Sequence, residues 1–136
     1  MTLLVPELAV IGLIVTDLCV SVDFYRRLGV PFGEDAISTE HGHVEATLRG
    51  GIRFTLDSVE EVQKFDKQWS RPSGGHRMGI AFLCESPTAV NELYANLLAD
   101  GIESYAEPWD AFWGQRYAQL RDPDGNVVDL FAPLEG

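Results

Sequence analysis

The sequence predicts an α+β fold built from two tandem βαβββ modules, at about residues 7–58 and 76–133, with a linker at about residues 59–75. Three observations support this fold. Each half opens with a short apolar segment that is typical of a buried strand, continues into a capped amphipathic helix, and closes with segments that alternate in polarity. The segments FYRRLG near residue 24 and LYANLLADG near residue 93 occupy corresponding places. The sequence therefore indicates an internal duplication within one domain of 136 residues.

The first module begins with the apolar residues 8–15, whose length and β-branched content favour a strand. Thr16 or Asp17 can cap the helix that follows, and Gly29 ends it. The predicted apolar face of this helix has a spacing of four residues: Val20, Phe24 and Leu28.

Three further strands are expected in the first module. Residues 31–38 (PFGEDAIS) form one of them, and residues 41–48 and 52–58 alternate in polarity around the Gly50-Gly51 turn, which indicates a hairpin. A short helix after Ser58 would place three apolar side chains on one face, and we expect Phe65 and Trp69 to join a satellite core. That face consists of Val62, Phe65 and Trp69.

The second module repeats this order. Residues 77–84 form an apolar strand, and Ser86-Pro87 starts a helix that ends at Gly101. Three strands are then expected at residues 102–108, 115–122 and 126–131, and the turn sequence DPDGN joins the last two. The aromatic stretch 105–114 shows no period of two or of 3.6 residues, so we do not expect a regular element throughout it.

The composition excludes several classes of protein. The net charge of −11 disfavours binding to nucleic acids and anionic membranes, because both carry negative charge. No apolar run approaches the roughly 18 residues of a spanning helix, and the N-terminus lacks the features of a secretory signal. We therefore expect a cytoplasmic protein. The contexts of Cys19 and Cys84 favour buried, unreactive thiols.

Three motifs in order resemble the vicinal oxygen chelate group, which includes glyoxalase I, extradiol dioxygenases and bleomycin-resistance proteins. The motifs are TDLCVSVDFYRRLG at residues 16–29, GIAF at residues 79–82 and RDPDGNVVDLFAP at residues 121–133. The Trp113–Arg116 segment also resembles the glyoxalase-like and bleomycin-resistance-like branch. The resemblance implies mixed sheets that curve around a cavity with helices outside. It also implies a homodimer.

The resemblance also locates the metal ligands of the metal-dependent members, on the first, fifth and eighth strands. Those positions are Val10, Gly79 and Asp129 in this chain, and the first two carry no ligand atom. We therefore expect neither the usual metal nor another cofactor. His41, His43 and Glu45 share one face of a strand and could chelate zinc; the alternative is a polar, exposed strand.

Six residues are candidates for ligand binding. They are the aromatic residues Trp109, Phe112 and Trp113, together with Asp129, Arg77 and Phe54. Trp109 and Trp113 either stack on a ligand or bury themselves in the core or a dimer contact. Asp129 either pairs with Arg77, attracts a cationic ligand, or acts as an acid or base; it is the only candidate for a catalytic residue.

The leading hypothesis is a metal-free protein that binds a planar or cationic small molecule, such as an antibiotic, in an aromatic-lined cavity. Its expected partners are that molecule and a second copy of the chain. The alternative is a lyase, isomerase or dioxygenase-like enzyme with unusual metal ligation or with Asp129 as general base. A third possibility is a dimeric interaction module without a small ligand.

Overall fold

The computed structural model describes residues 5–36 and 42–134. The chain divides into two compact units, residues 1–71 and residues 72–136. In the described residues, the first unit contains a three-stranded mixed sheet with two α-helices, and the second contains a four-stranded mixed sheet with one α-helix. The expected α+β class is therefore confirmed.

The first unit contains strands β1 (Val10–Val15), β2 (His43–Thr47) and β3 (Arg53–Ser58), and helices α1 (Leu18–Arg27) and α2 (Val59–Gln63). The strand order is β1-β3-β2, with β1 parallel to β3 and β2 antiparallel to β3. Gly50 and Gly51 both adopt positive φ in the turn between β2 and β3. The antiparallel pairing of β2 with β3 confirms the predicted hairpin. Glycine is suited to its turn, because most residues with a Cβ avoid positive φ.

Helix α1 starts where the sequence predicts. The side chain of Asp17 accepts a hydrogen bond from the backbone N of Val20 at 3.1 Å, and Gly29 follows the helix with φ of 92°. Phe24 and Leu28 of the predicted apolar face are buried, whereas Val20 is exposed. The buried side of the helix therefore matches the predicted face at two of its three positions.

The strand expected at residues 31–38 is not formed at Glu34–Ala36, which make a short 3-10 helix. The backbone N of Ala36 donates to the carbonyl of Gly33 at 3.1 Å, and Arg26 binds the carbonyls of Phe32 and Gly33. These bonds use backbone groups that a strand would offer to a neighbour. Residues 37–41 lie outside the described part of the chain.

The second unit contains β4 (Ile80–Leu83), α3 (Pro87–Ala99), β5 (Ser104–Ala111), β6 (Gln115–Arg121) and β7 (Val127–Pro133). The strand order is β4-β7-β6-β5, with β4 parallel to β7 and the other pairs antiparallel. Helix α3 packs against β5, β6 and β7. The core of this unit includes Val90, Leu97, Ala118, Leu120, Val128 and Leu130.

Strand β5 extends through most of the aromatic stretch, up to Ala111, but the strand is not regular throughout. Its register against β6 shifts between Ser104 and Ala106 and again between Ala106 and Trp109. Each irregularity changes the alternation of side chains along the strand, which removes the period-two signal from the sequence. Residues 112–114 then form a turn, so the stretch as a whole is not one regular element, as the sequence predicts.

Two further expectations are wrong. Phe65 is 77% exposed and belongs to no satellite core, because α2 ends at Gln63 and Phe65 lies beyond it. Cys19 is exposed on α1, and Cys84 is only half-buried. Burial raises the pKa of the Cys84 thiol, while its hydrogen bond with the backbone at Phe131 acts in the opposite direction. None of the helices in the described ranges is long and apolar enough to cross a membrane.

Candidate functional site

One cross-strand row of apolar side chains lies on a single face of the sheet in the second unit. The register pairs Trp109 on β5 with Tyr117 on β6, Tyr117 with Phe131 on β7, and Phe131 with Leu83 on β4. Side chains that are directly opposite in neighbouring strands share a face. We call Trp109, Tyr117, Phe131 and Leu83, together with Trp113, the aromatic row.

The rings of the aromatic row contact one another. The ring centroids of Trp109 and Tyr117 are 5.5 Å apart, and those of Tyr117 and Phe131 are 6.1 Å apart. Trp113 lies 5.2 Å from Tyr117 and 6.4 Å from Trp109, both edge-to-face. Trp109 is nevertheless 37% exposed and Trp113 48% exposed. The row therefore offers apolar ring surface to solvent.

The hairpin between β5 and β6 positions Trp113. Gly114 allows the turn through a φ of 91°, and the indole Nε1 of Trp113 donates to Gln115 Oε1 at 2.8 Å. The neighbouring Phe112 is 96% exposed, and its ring lies 4.9 Å from that of Trp113. Trp113 is thus held by its neighbours on one side and open on the other, whereas Phe112 lies at the tip of the turn.

A polar row lies next to the aromatic row on the same face. Gln119 on β6 pairs with Asp129 on β7, and Asp129 pairs with Ala81 on β4. The hydroxyl of Tyr117 donates to Asp129 Oδ2 at 2.8 Å, and Gln119 Nε2 donates to Asp129 Oδ1 at 2.9 Å. Two donors from β6 therefore fix the orientation of the carboxylate.

Tyr117 belongs to the aromatic row, and its hydroxyl donates a hydrogen bond to the polar row. Burial raises the pKa of Tyr117 to about 12, and the hydrogen bond to Asp129 and the charge of that carboxylate act in the same direction. The phenol is therefore protonated throughout the neutral pH range. It donates to Asp129 while its ring contacts Trp109, Trp113 and Phe131.

The β4 side of Asp129 carries little side-chain bulk. Ala81 is opposite Asp129, and a Cβ added to Gly79 would lie 4.0 Å from Asp129 Oδ2. Both Gly79 and Ala81 are exposed. We call this opening beside the carboxylate, bounded by Gly79 and Ala81, the β4 notch. It leaves Asp129 approachable from the side opposite its two donors.

The residues present do not fit the metal site that the resemblance implies. Gly79 has no ligand atom and Val10 on β1 is aliphatic, so Asp129 is the only one of the three implied positions that carries a ligand atom. A divalent ion needs several protein ligands to displace its water. Within residues 5–36 and 42–134, no group of three or more His, Cys, Asp or Glu side chains is placed to hold a metal ion.

The zinc hypothesis concerned a different surface, in the first unit. His41 lies outside the described residues. His43 Nδ1 lies 2.6 Å from Asp57 Oδ1 and His43 Nε2 lies 3.1 Å from Glu45 Oε2, while Arg53 approaches Glu45 at 3.4 Å. His43 and Glu45 therefore do share a face, in a network of charged groups.

This network sets the protonation of His43. Burial lowers the pKa of His43, but the hydrogen bonds and charges of Asp57 and Glu45 raise it by more, so that it lies above 6.5. The hydrogen bond with His43 lowers the pKa of Glu45, while desolvation acts against it. The arrangement favours an imidazolium between two carboxylates.

The remaining candidates lie apart from the two rows. Phe54 is 2% exposed and packs against Tyr25, with ring centroids 5.2 Å apart, in the core of the first unit. Arg77 is exposed on the segment before β4. Among the described residues, the hydrogen bonds to Asp129 come from Tyr117 and Gln119 and not from Arg77.

Sequence reasoning missed Tyr117 and Gln119. These two residues are two positions apart on a predicted strand that is next to the strand of Asp129 in the sequence. That spacing already indicated that the side chains of Tyr117 and Gln119 share a face. The register between β6 and β7 was not available, and that register brings both donors to the carboxylate.

Residues 7–130 match the family described as the Glyoxalase/Bleomycin resistance protein/Dioxygenase superfamily. The chain belongs to this superfamily. It is 28% identical over 132 residues to the uncharacterized protein YraH of Bacillus subtilis (strain 168), with 94% of this chain and 99% of that protein covered.

Solved structures of this superfamily share the fold. A glyoxalase/bleomycin resistance protein/dioxygenase from Nocardioides has a TM-score of 0.73 and 26% identity, covering 99% of this chain and 88% of that chain. A glyoxalase/bleomycin resistance protein/dioxygenase family enzyme from Burkholderia phytofirmans PsJN has a TM-score of 0.80 and 20% identity, covering 95% and 100%. The name of the superfamily covers proteins with several different activities, so the function of this chain has to be argued from its own site.

Proposed function

We propose that this member of the superfamily binds a planar, cationic organic molecule on the aromatic row and Asp129, without a metal ion. The observation that carries the proposal is a carboxylate held at the edge of exposed aromatic rings on one face of a sheet. Aromatic side chains stack on planar ligands, and their faces attract cations. The carboxylate adds a charge-assisted acceptor beside them.

The charge of the whole chain supports a cationic ligand. A net charge of −11 attracts cations over long range and repels anions, which favours encounter with a positively charged molecule. Binding alone is sufficient for such a function. A protein that sequesters an antibiotic of this chemistry needs affinity and no chemical step.

Three acridines of similar shape and different charge test the proposal at neutral pH. 9-Aminoacridine is cationic, acridine is neutral and acridine-9-carboxylate is anionic. Isothermal titration is expected to give the tightest binding for the cation and the weakest for the anion. Failure of all three to bind, or equal affinity for all three, would overturn the proposal.

Two variants and one control locate the binding. Asp129→Asn is expected to remove the preference for 9-aminoacridine over acridine, because it removes the charge at nearly constant shape. Trp113→Ala is expected to weaken the binding of both compounds through lost stacking. Phe65→Ala, an exposed aromatic of the first unit, is the matched control and is expected to leave both affinities unchanged.

A further inference from the structure

We propose that Asp129 selects an amidinium or guanidinium group attached to a planar ring system over an ammonium of the same charge. This inference rests on the proposed function and narrows its substrate class. It follows from the acceptor capacity of the Asp129 carboxylate, from the side on which that carboxylate is open, and from the rings beside it.

The hydrogen bonds to Asp129 leave acceptor capacity on both of its oxygens. An ionised carboxylate has about four lone-pair sites, two on each oxygen. Among the described residues, Oδ2 accepts from the hydroxyl of Tyr117 and Oδ1 accepts from Gln119 Nε2. Each oxygen therefore retains one site for a ligand. Two adjacent acceptors match two parallel N–H donors, which is the geometry of an amidinium or guanidinium.

The strand positions show from which side such a ligand can approach. Tyr117 and Gln119 both belong to β6, so their donors occupy that side of Asp129. On the other side, β4 contributes only Ala81 and the preceding Gly79, whose added Cβ would lie 4.0 Å from Oδ2. The β4 notch is thus the open approach to the carboxylate.

The neighbouring rings explain the requirement for a planar group. Tyr117 donates to Asp129 and also contacts Trp109, Trp113 and Phe131, so the rings begin directly beside the carboxylate. An amidinium conjugated to an aromatic ring can keep its two donors and its ring in one plane. An ammonium is a compact, strongly hydrated point charge whose donors do not match the two oxygens in this way.

Isothermal titration at neutral pH with three naphthalene derivatives compares an amidinium, an ammonium and a neutral amide on the same ring system. 2-Naphthamidine carries the forked cation, 2-naphthylmethylamine carries an ammonium, and 2-naphthamide is neutral. The amidine is expected to bind at least about tenfold more tightly than the amine, because two charge-assisted bonds form in place of one. Equal affinity for the amidine and the amine would overturn the inference.

Two variants, Asp129→Asn and Gly79→Val, test whether the amidine is selected at Asp129 and the β4 notch. Asp129→Asn is expected to abolish the advantage of the amidine over the amine. Gly79→Val is expected to weaken the binding of the amidine by filling the β4 notch, with Gly75→Val as control, since a Cβ at Gly75 meets nothing within 4 Å. If both site variants keep the full advantage of the amidine, the inference is wrong, because the selective site lies elsewhere.

The two proposals fail in different ways. If the wild-type protein binds 9-aminoacridine but binds 2-naphthamidine no more tightly than 2-naphthylmethylamine, only the inference about two parallel N–H donors is refuted. 9-Aminoacridine does not test that inference, because its two nitrogens lie on opposite sides of its ring system. Absence of binding for all three acridines, or equal affinity for them, refutes the proposed function itself. Circular dichroism of each variant confirms that the measured losses occur in folded protein.

Discussion

Replacement of Trp113 by alanine distinguishes a ligand-binding side chain from a structural one. In the structure, Trp113 is held by ring contacts with Tyr117, Trp109 and Phe112 and by a hydrogen bond to Gln115. It also remains 48% exposed. The variant removes the whole indole, so it removes both the part that packs on the protein and the part that faces solvent.

The burial of Trp113 sets the expected cost in stability. Truncation of a fully buried aromatic residue costs about 3–5 kcal/mol. Since about half of Trp113 is buried, we expect the free energy of unfolding to fall by roughly 1.5–2.5 kcal/mol. The stacking that a planar ligand loses is worth roughly 1–3 kcal/mol, which corresponds to an increase in Kd of about 5-fold to 150-fold.

Denaturant melts and titration with 9-aminoacridine are carried out on the same preparation of Trp113→Ala. We expect a moderate loss of stability together with a clear loss of affinity. Phe112→Ala provides a comparison at the neighbouring residue, and its cost in stability is expected to be smaller, because Phe112 is 96% exposed. A loss of 3 kcal/mol or more in Trp113→Ala, with unchanged affinity of the folded molecules, would make Trp113 a purely structural residue.

Three further outcomes are expected. Elemental analysis after purification without chelator is expected to show no stoichiometric divalent metal, because Val10 and Gly79 lack ligand atoms; about one metal per chain, lost in Asp129→Asn, would contradict this. Light scattering is expected to give two chains per particle with or without 9-aminoacridine, and a monomer mass at all concentrations would exclude the dimer. The stabilisation that His43 contributes is expected to be present below about pH 6.5 and to be lost as the pH rises through the higher pKa of the folded state. Unfolding of wild type and His43→Gln across that range measures it, and an identical pH dependence for both proteins would refute it.

Much of the fold follows from patterns that are local in the sequence. The β-branched residues of β1, the Asp17 cap of α1 and the glycines between β2 and β3 each act within a few residues of their own position. Ser86 likewise caps α3, accepting from the backbone N of Ala89 at 3.1 Å. Helix caps and turn glycines can be recognised in the sequence because their hydrogen bonds and backbone conformations involve only neighbouring residues.

The errors arose where a side chain outside the predicted element, or irregular strand geometry, decides the structure. Arg26 binds the carbonyls of Phe32 and Gly33, and a 3-10 helix forms at Glu34–Ala36, where the βαβββ order predicted a strand. The irregularities of β5 removed the period-two alternation that would have indicated a strand as far as Ala111. Neither effect has a period that a sequence window can detect.

The sequence by itself determined that Asp129 lies on the last strand, that Val10 and Gly79 bring no metal ligand, and that aromatic residues collect at residues 105–113, before the segment that forms β6. Only the tertiary structure decided which side chains surround the carboxylate. The register of β6 against β7 places Tyr117 and Gln119 on Asp129, and the pairing of β4 with β7 opens the notch at Gly79 and Ala81. The physical reason is that the pairing register of two strands is set by packing and hydrogen bonds across the sheet, and a shift of one residue would turn each of these side chains to the opposite face.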